Sequence, residues 1–376
     1  MSTPKFVQIH ALVSYPAALL NRDDSGLAKR MEYGDAVRTR ISSQCLKRHW
    51  RMAEDHPWAL RNIGLEMSVR SREIPERRIL PALEQEAVGT AETRRAVAES
   101  LAVWLYGKNA VKTPSSRQQI LLGEPEIRYL TSKAREAAQA ADAKTAAQKM
   151  EELLKAEKAN LGAMLKEQKA APGVLAGGLE AALFGRMVTS DPEANTDAAV
   201  HVAHALTVHG EQSETDYFTV VDDLAEGTGA GGIFDTELTS GLYYVYVCVD
   251  VGALVANLGG DADLAGKVVE HLVHLVATVS PGAKKGSTAP YAYAEHLLLE
   301  IGDRQPRQLS GAFRRAIRPA TLERAVEALE RHLASFDGMY GAEEQRIVCS
   351  VLPDRQAVPV REAAERLGKV VAGKAP

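Results

Sequence analysis

Residues 241–250, GLYYVYVCVD, pack tyrosine and valine into a run with no charge before Asp250. That β-branched and aromatic density predicts a strand inside a sheet, and every other segment has to be placed around it. A second run, FVQIHALVSY at 6–15, alternates so that Val7, Ile9, Ala11 and Val13 share one face while Gln8 and His10 lie on the other. It predicts a strand with one buried face. A helix at about 263–279 and a strand at about 294–301 complete a β-α-β order.

Two excursions separate these sheet segments. Residues 58–110 give amphipathic helical pieces, one of them capped by Gly107, and 131–170 mix Ala, Lys, Glu and Gln with loosely spaced leucines up to Pro172-Gly173. The latter predicts a solvated helix or helical pair. GLEAALFGRMV at 178–188 predicts a short buried strand or turn, and DAAVHVAHAL at 197–206 predicts a helix. DYFTVVDDL at 216–224 runs into Gly227, Gly229, Gly231 and Gly232, which predicts a long β-hairpin reaching off the body. The fold class is therefore α+β, one sheet domain with two excursions, and no internal repeat is visible.

At 376 residues and 45% hydrophobic, the chain can bury a sizeable core. Its net charge of -4 and pI near 6.2 are the opposite of a generally basic nucleic-acid-binding domain, so any polyanion site must be a local stripe. Cys45, Cys248 and Cys349 form no CxxC pair, which argues against a disulfide framework or a cysteine zinc site. The expected setting is a reducing cytoplasm. No run approaches the roughly 18 apolar residues of a membrane span, so no membrane partner is expected.

The stretch RTRISSQCLKRHWR at 38–51 is that stripe. A helix starting at Ser42 or Ser43 places Gln44, Lys47, Arg48 and Arg51 within about a third of the wheel, with Leu46 and Trp50 on another side. Such a helix docks by Leu46 and Trp50 and turns cations outward, with backbone N–H groups at its N-terminus. Arg38 and Arg40 in the extended lead-in project to one side and could lengthen the site, and Arg22 in the preceding loop could add a cation. Charge alone leaves a solvated face with surface ion pairs equally open.

Catalytic signatures are missing: there is no GxSxG elbow, Walker loop, HExxH or GxGxxG after a strand. Asp23, Asp24, Asp216, Asp222, Asp223 and Asp235 could be imagined around a hard cation, but adjacent loop carboxylates are more often caps or turn formers. His201, His204, His271 and His274 occur at i,i+3 spacing without an acidic partner. The expectation is no catalytic residue, no metal and no cofactor. Phe218, on a hairpin with little body beneath it, either folds back on the sheet or meets something outside the domain, such as a stack of bases that it wedges apart.

LNRDD at 20–24, RISSQCLKR at 40–48, FGRM at 184–187, DYFTVVDDL at 216–224 and PGAKK at 281–285 together resemble the backbone subunit of type I-E CRISPR Cascade, the CasC family of the RAMP superfamily. The resemblance runs in order from Phe6 to Ala312 and is weakest over 58–175 and in the C-terminal tail. It implies an RRM-like (ferredoxin-like) palm with an inserted helical fingers domain and a β-hairpin thumb: palm at 1–57, fingers at 58–177, palm at 178–194, a thumb region at 195–240 and palm again at 241–376. It implies copies stacked in a helical oligomer along a CRISPR RNA, with target DNA paired to the guide and the other Cascade subunits CasA, CasB, CasD and CasE as partners.

Carried over residue by residue, Arg22, Ser42, Gln44, Lys47 and Arg51 would hold guide phosphates and sugars, with Arg40, Ser43 and Arg48 in support. Met187 would sit beside a kink in the guide, and Phe218 with Thr219 would wedge there. His10 ranks lower. The implied function is non-catalytic antiviral defence: sequence-independent backbone contacts carry any guide, and base pairing supplies specificity. Two other readings compete. One is a guide-directed, metal-dependent RNA endonuclease using Asp23 or Asp24, as in type III backbone subunits; the other, a small-ligand binder, does not account for so many cations.

Overall fold

The computed structural model describes residues 3–109, 111–156, 175, 177–187, 195–221 and 230–375, in two compact units. The first comprises Met1–Leu60, Val200–Val251 and Ala262–Pro376; the second comprises Arg61–Ala199 and Gly252–Asp261. In chain order the strands are β1 (Phe6–Ala18), β2 (Arg30–Tyr33), β3 (Ala36–Ile41), β4 (Ser68–Ser71), β5 (Ile120–Gly123), β6 (Val200–Val202), β7 (Ala205–Thr207), β8 (Ser213–Val221), β9 (Ala230–Asp250), β10 (Ala294–Gly302) and β11 (Gln345–Ser350).

The first unit is built on an antiparallel sheet in the order β11-β10-β1-β9-β7-β3-β2, with β6 and β8 also paired to β9. β1 lies between β9 and β10, Ile9 facing Val247 on one side and Leu299 on the other. The segment 241–250 is the inner half of β9, as its composition predicts. The helix Ala262–Thr278 and strand β10 follow it, close to the expected bounds.

β1 differs from expectation in being buried on both faces: Gln8 is 3% exposed and His10 is 0% exposed. The reason is a second layer of cover. On the face of Leu12, Tyr244 and Leu298 lie Leu309, Phe313 and the helix Leu322–Tyr340, while the opposite face, with Ile9, Val247 and Leu299, is also fully buried. The polar groups on the covered face survive by pairing. Tyr244 Oη and His10 Nδ1 are 2.8 Å apart, and His10 Nε2 is 3.2 Å from Glu300, which also binds Arg307 and Arg346. His10 is thus part of the core and is withdrawn from any RNA contact.

The segment 197–206 is not a helix. Val200–Val202 and Ala205–Thr207 are the short strands β6 and β7, because the exposed backbone edge of β9 offers them a ladder that outweighs their alanine content. The expected long hairpin is present: β8 pairs with the outer half of β9 from Ser213↔Thr239 to Val221↔Ala230. Its tip, with Asp222, Asp223, Gly227 and Gly229, lies outside the described residues.

Helix α1 (Ser43–Arg51) belongs to the first unit; the second unit packs α2 (Leu80–Gln85), α3 (Ala91–Tyr106), α4 (Glu124–Ala138) and α5 (Ala143–Ala156) around the β4-β5 ladder. Leu101, Leu122, Leu130, Ala134, Ala146 and Met150 form its core. The Lys- and Glu-rich stretch after Thr131 is therefore solvated on one side only, and 157–174 lie outside the described residues. Leu179–Phe184 is a short helix and not a strand, capped by Gly185 in the left-handed region. This helix, expected with the sheet body, groups with the helical unit: Leu179 N–H donates to Glu66 O at 3.0 Å and Ser68 N–H to Glu180 Oε2 at 2.5 Å. Among the described residues, no helix is long and apolar enough to cross a membrane.

Candidate nucleic-acid interface

Three segments of the first unit meet around α1, the 20–28 loop at its start and the 281–285 loop at His49 in its last turn. Ser42 is the N-cap, its hydroxyl accepting the Cys45 N–H at 3.2 Å, and its own N–H donates to Asn21 Oδ1 at 2.9 Å. The 20–28 loop is closed by the Arg22↔Ala28 bridge and by Asp23 Oδ1, which accepts the N–H groups of Ser25 and Leu27. Asp23 is a turn former, as adjacent loop carboxylates commonly are. The third segment is 281–285: Ala283 N–H donates to Leu19 O at 2.9 Å, and Gly282 N–H donates to His49 Nε2 at 3.3 Å.

Within this frame α1 divides as its wheel implies. Leu46 and Trp50 are 4% and 1% exposed and seat the helix. Gln44 and Arg48 are exposed, Lys47 and Arg51 half-buried, and Ser43 is buried, so any part it plays is through its backbone N–H. Arg22 is exposed; Arg40 is half-buried, its guanidinium 3.1 Å from His204 Nδ1.

The local field is positive. Burial lowers the His49 pKa, and the charges of Lys285 and Arg48 lower it further. Burial likewise lowers that of His204, with Arg40 and Lys29 acting in the same direction. The Cys45 thiol is pushed up to about 11 by burial, against the opposing pull of Arg48 and Lys29. A neutral His49 with its Nδ1–H on Cys45 O and its Nε2 receiving Gly282 is a rigid link between α1 and the 281–285 loop. A surface of this kind suits a strand of phosphates better than a single one.

Arg38 does not belong to it. Its side chain is 0% exposed and donates to Tyr33 O, Thr207 O and Phe313 O at 3.2, 3.2 and 2.9 Å, fastening β3 to its neighbours. Alternation along β3 put Arg38 and Arg40 on one side, but only the sheet's packing decides where that side is covered.

On the hairpin, Tyr217, Phe218, Val220 and Phe234 are 63%, 41%, 50% and 50% exposed, so the apolar groups do not fold back onto the sheet. Phe218 lies opposite Phe234, their rings 5.6 Å apart at 24°. Thr219 is exposed beside them. The hairpin is braced at its base, where Arg30 binds Glu211 and Glu237 and Lys284 Nζ donates to Thr236 Oγ1 at 2.5 Å. Met187, in the second unit, is 74% exposed. Its neighbour Arg186 is buried against Glu126, at 2.6 and 2.8 Å.

Sequence reasoning missed Asn21, whose role depends on a partner 21 residues away, and Phe234, whose pairing follows only once the hairpin register is known. It also missed Tyr291 and Tyr293, 73% and 70% exposed, which follow the 281–285 loop two residues apart. Among the described residues no group of three His, Cys, Asp or Glu side chains is arranged to hold a metal ion.

Residues 7–372 match the model of a family described as CT1975-like protein. Among solved structures, the chain is similar to a chain of a "CRISPR RNA-guided surveillance complex, pre-nicking", with a TM-score of 0.74 and 26% identity over 94% of each chain. It shares its fold with a chain of a "CRISPR RNA-guided surveillance complex" at a TM-score of 0.55 and 21% identity, over 93% of this chain and 91% of that one. No curated protein sequence matches it.

Proposed function

Because the chain belongs to the CT1975-like protein family, we propose that it is an RNA-binding backbone subunit of a Cascade-type CRISPR surveillance complex, of the type I-E CasC kind. The observation that carries this reading is the convergence of α1, the 20–28 loop and the 281–285 loop into one cationic surface, on a chain whose net charge is -4. A local stripe repeated along a filament of copies builds a positive groove from acidic protomers.

In this reading the sheet of the first unit is an RRM-like palm, the second unit the fingers and the β8-β9 hairpin the thumb. Gln44, Lys47 and Arg51, with Arg22 and the first-turn N–H groups of α1, hold the sugar-phosphate backbone of a guide RNA. Arg40 and Arg48 add charge. None of these contacts reads a base, so one subunit serves any guide, and pairing with a target DNA strand supplies the specificity. The exposed Phe218–Phe234 pair, with Thr219 and Met187, sets the kinks in the guide. The other Cascade subunits and further copies are the protein partners, in the cytoplasm.

The subunit is non-catalytic in this proposal. The commitment of Asp23 Oδ1 to two backbone N–H groups removes Asp23 from the endonuclease reading, which then rests on the exposed Asp24; metal-dependent cleavage of a complementary RNA, lost in Asp24→Asn, would establish that reading. The decisive experiment is binding of the Lys47→Ala, Arg51→Ala double variant to RNAs of several sequences at two salt concentrations. A uniform loss of affinity and a shallower salt dependence are expected, while unchanged binding at moderate salt would remove the basis of the proposal.

A further inference from the structure

A second cluster of cations lies in the first unit, away from α1. The loop 311–318 and one face of the helix Leu322–Tyr340 enclose a cleft of about 550 Å³ lined by Arg314, Arg315, Arg318, Arg324 and Arg331, with Glu327 as the one carboxylate in the lining. All five arginines are exposed. Among the described residues none of them forms an ion pair; Arg324 donates to Arg318 O at 2.6 Å, and the other four guanidiniums carry no hydrogen bond to the protein.

The cleft is built, because its loop wall is fixed from behind. Asp35 N–H donates to Arg314 O at 3.2 Å, Ala316 N–H to Asp35 Oδ1 at 2.8 Å, and Ile317 N–H to Val208 O at 3.0 Å. Buried Arg38 holds Phe313 O. Gly34 has φ +66°, and a Cβ there would stand 1.8 Å from Arg314 O, so the β2-β3 turn is shaped to let the loop in. The helix wall repeats at Arg324, Ala328, Arg331 and Ser335, the spacing of one helical face. Burial lowers the pKa of His332 on the helix wall, and the charge of Arg314 lowers it further.

We propose that this cleft is a second polyanion site that grips the sugar-phosphate backbone of a nucleic-acid strand. Guanidinium forks recognise phosphate oxygens bidentately, and several held without carboxylate partners are already poised to do so. A protein partner would need an apolar or aromatic anchor in the centre, whereas the apolar lining here is Ala312, Ala316, Ala328 and Ile317. The cleft lies at the Ala36 end of β3 and α1 follows the Ile41 end, about 17 Å apart at strand rise. The strand in the cleft is either a continuation of the one on α1 or its complement.

The test uses the full-length Arg315→Ala, Arg331→Ala variant, whose truncated side chains support no other contact, with the Lys pair at the same positions as a charge-retaining control. In one arm the salt dependence of single-stranded RNA binding is measured. In the other, complementary single-stranded DNA is added to protein already loaded with RNA. A fall of about 1.4 in the slope of log K against log salt in the first arm, restored by the Lys pair, identifies the bound RNA. The same loss in the second arm alone identifies the complementary DNA. If neither arm changes, or if only competition by polyglutamate or self-association changes, the cleft serves an acidic protein surface and the proposal fails. The Lys47→Ala, Arg51→Ala variant reports on α1 separately, so the two readings fail independently.

Discussion

Asn21 Oδ1 accepts the N–H of Ser42 at 2.9 Å, across the junction between the 20–28 loop and the N-cap of α1. One amide thereby positions both Arg22 and the first turn of the helix. Replacing it, Asn21→Ala, leaves the half-buried Ser42 N–H without its acceptor and costs about 1 kcal/mol of stability. RNA affinity should fall several-fold beyond what that loss accounts for, since two parts of the surface lose their mutual register. Titration of labelled RNA alongside urea unfolding checks both; a stability loss with unchanged affinity would mean that the loop is only structural.

The ring pair Phe218–Phe234 projects from the body. Because neither ring supports the core, Phe218→Ala or Phe234→Ala should shift the melting temperature little, the ring pair itself contributing only about 0.5–1.5 kcal/mol. The expected effect is on the bound RNA: loss of a regular pattern of nuclease-accessible nucleotides in assembled complexes. An unchanged pattern in both variants would assign the hairpin to protein contacts alone.

Arg186 and Glu126 are both essentially unexposed and 2.6 Å apart. Glu126→Gln removes the carboxylate charge from beside the buried Arg186 guanidinium, and the cost should reach about 3–5 kcal/mol. Arg186→Met with Glu126→Leu should recover only part of that: it removes both desolvated charges but leaves the Gly123 N–H, which donates to Glu126 Oε2 at 2.9 Å, without its acceptor. Urea midpoints of the single and double variants decide it, and equal midpoints would show that the pair is not coupled.

Acid should destabilise the first unit in two steps. Burial lowers the pKa of His274 and His296 to about 4, assisted by His271 and His56 for the former and by Arg355 for the latter. These histidines favour folding while neutral, so that contribution is complete above pH 6.5 and is lost as pH falls toward 4. Burial pushes the Glu300 carboxyl up, but hydrogen bonds from His10 and Arg307 and the arginine charge outweigh it and bring it to about 2. Its contribution is complete above about pH 4.5 and lost as pH falls toward 2. Unfolding midpoints should therefore be flat between about pH 7 and 8, decline below 6.5, and decline again above about pH 9, where the half-buried Cys45 and buried Cys349 thiols, pushed up to about 11, would ionise on unfolding. A midpoint that rises between pH 6.5 and 4 would contradict the buried neutral histidines.

Much of the scaffold could be read from local pattern. The tyrosine and valine run at 241–250, the helix at 262–278, the Gly107 cap and the hairpin all follow from side-chain chemistry that acts within a few residues. So does the split of α1 into Leu46 and Trp50 beneath and Gln44 and Arg48 above. What was not legible depends on partners distant in sequence. Val200–Val202 and Ala205–Thr207 are strands because β9 offers them an edge, and a window of ten residues contains no trace of that edge.

The sequence by itself determined the periodicities, the caps and the local concentration of cations, because those are properties of neighbouring residues. Tertiary structure alone decided which polar groups became buried. His10 and Arg38 carry the same chemistry as the residues of the exposed surface, yet packing by Phe313 and the helix Leu322–Tyr340 turned the first into a core hydrogen-bond partner and packing within β3's surroundings made the second a clasp. It also decided that Arg314 to Arg331, spread over a loop and a helix, share one cleft. Burial and convergence are sums over the whole chain, and no short stretch contains them.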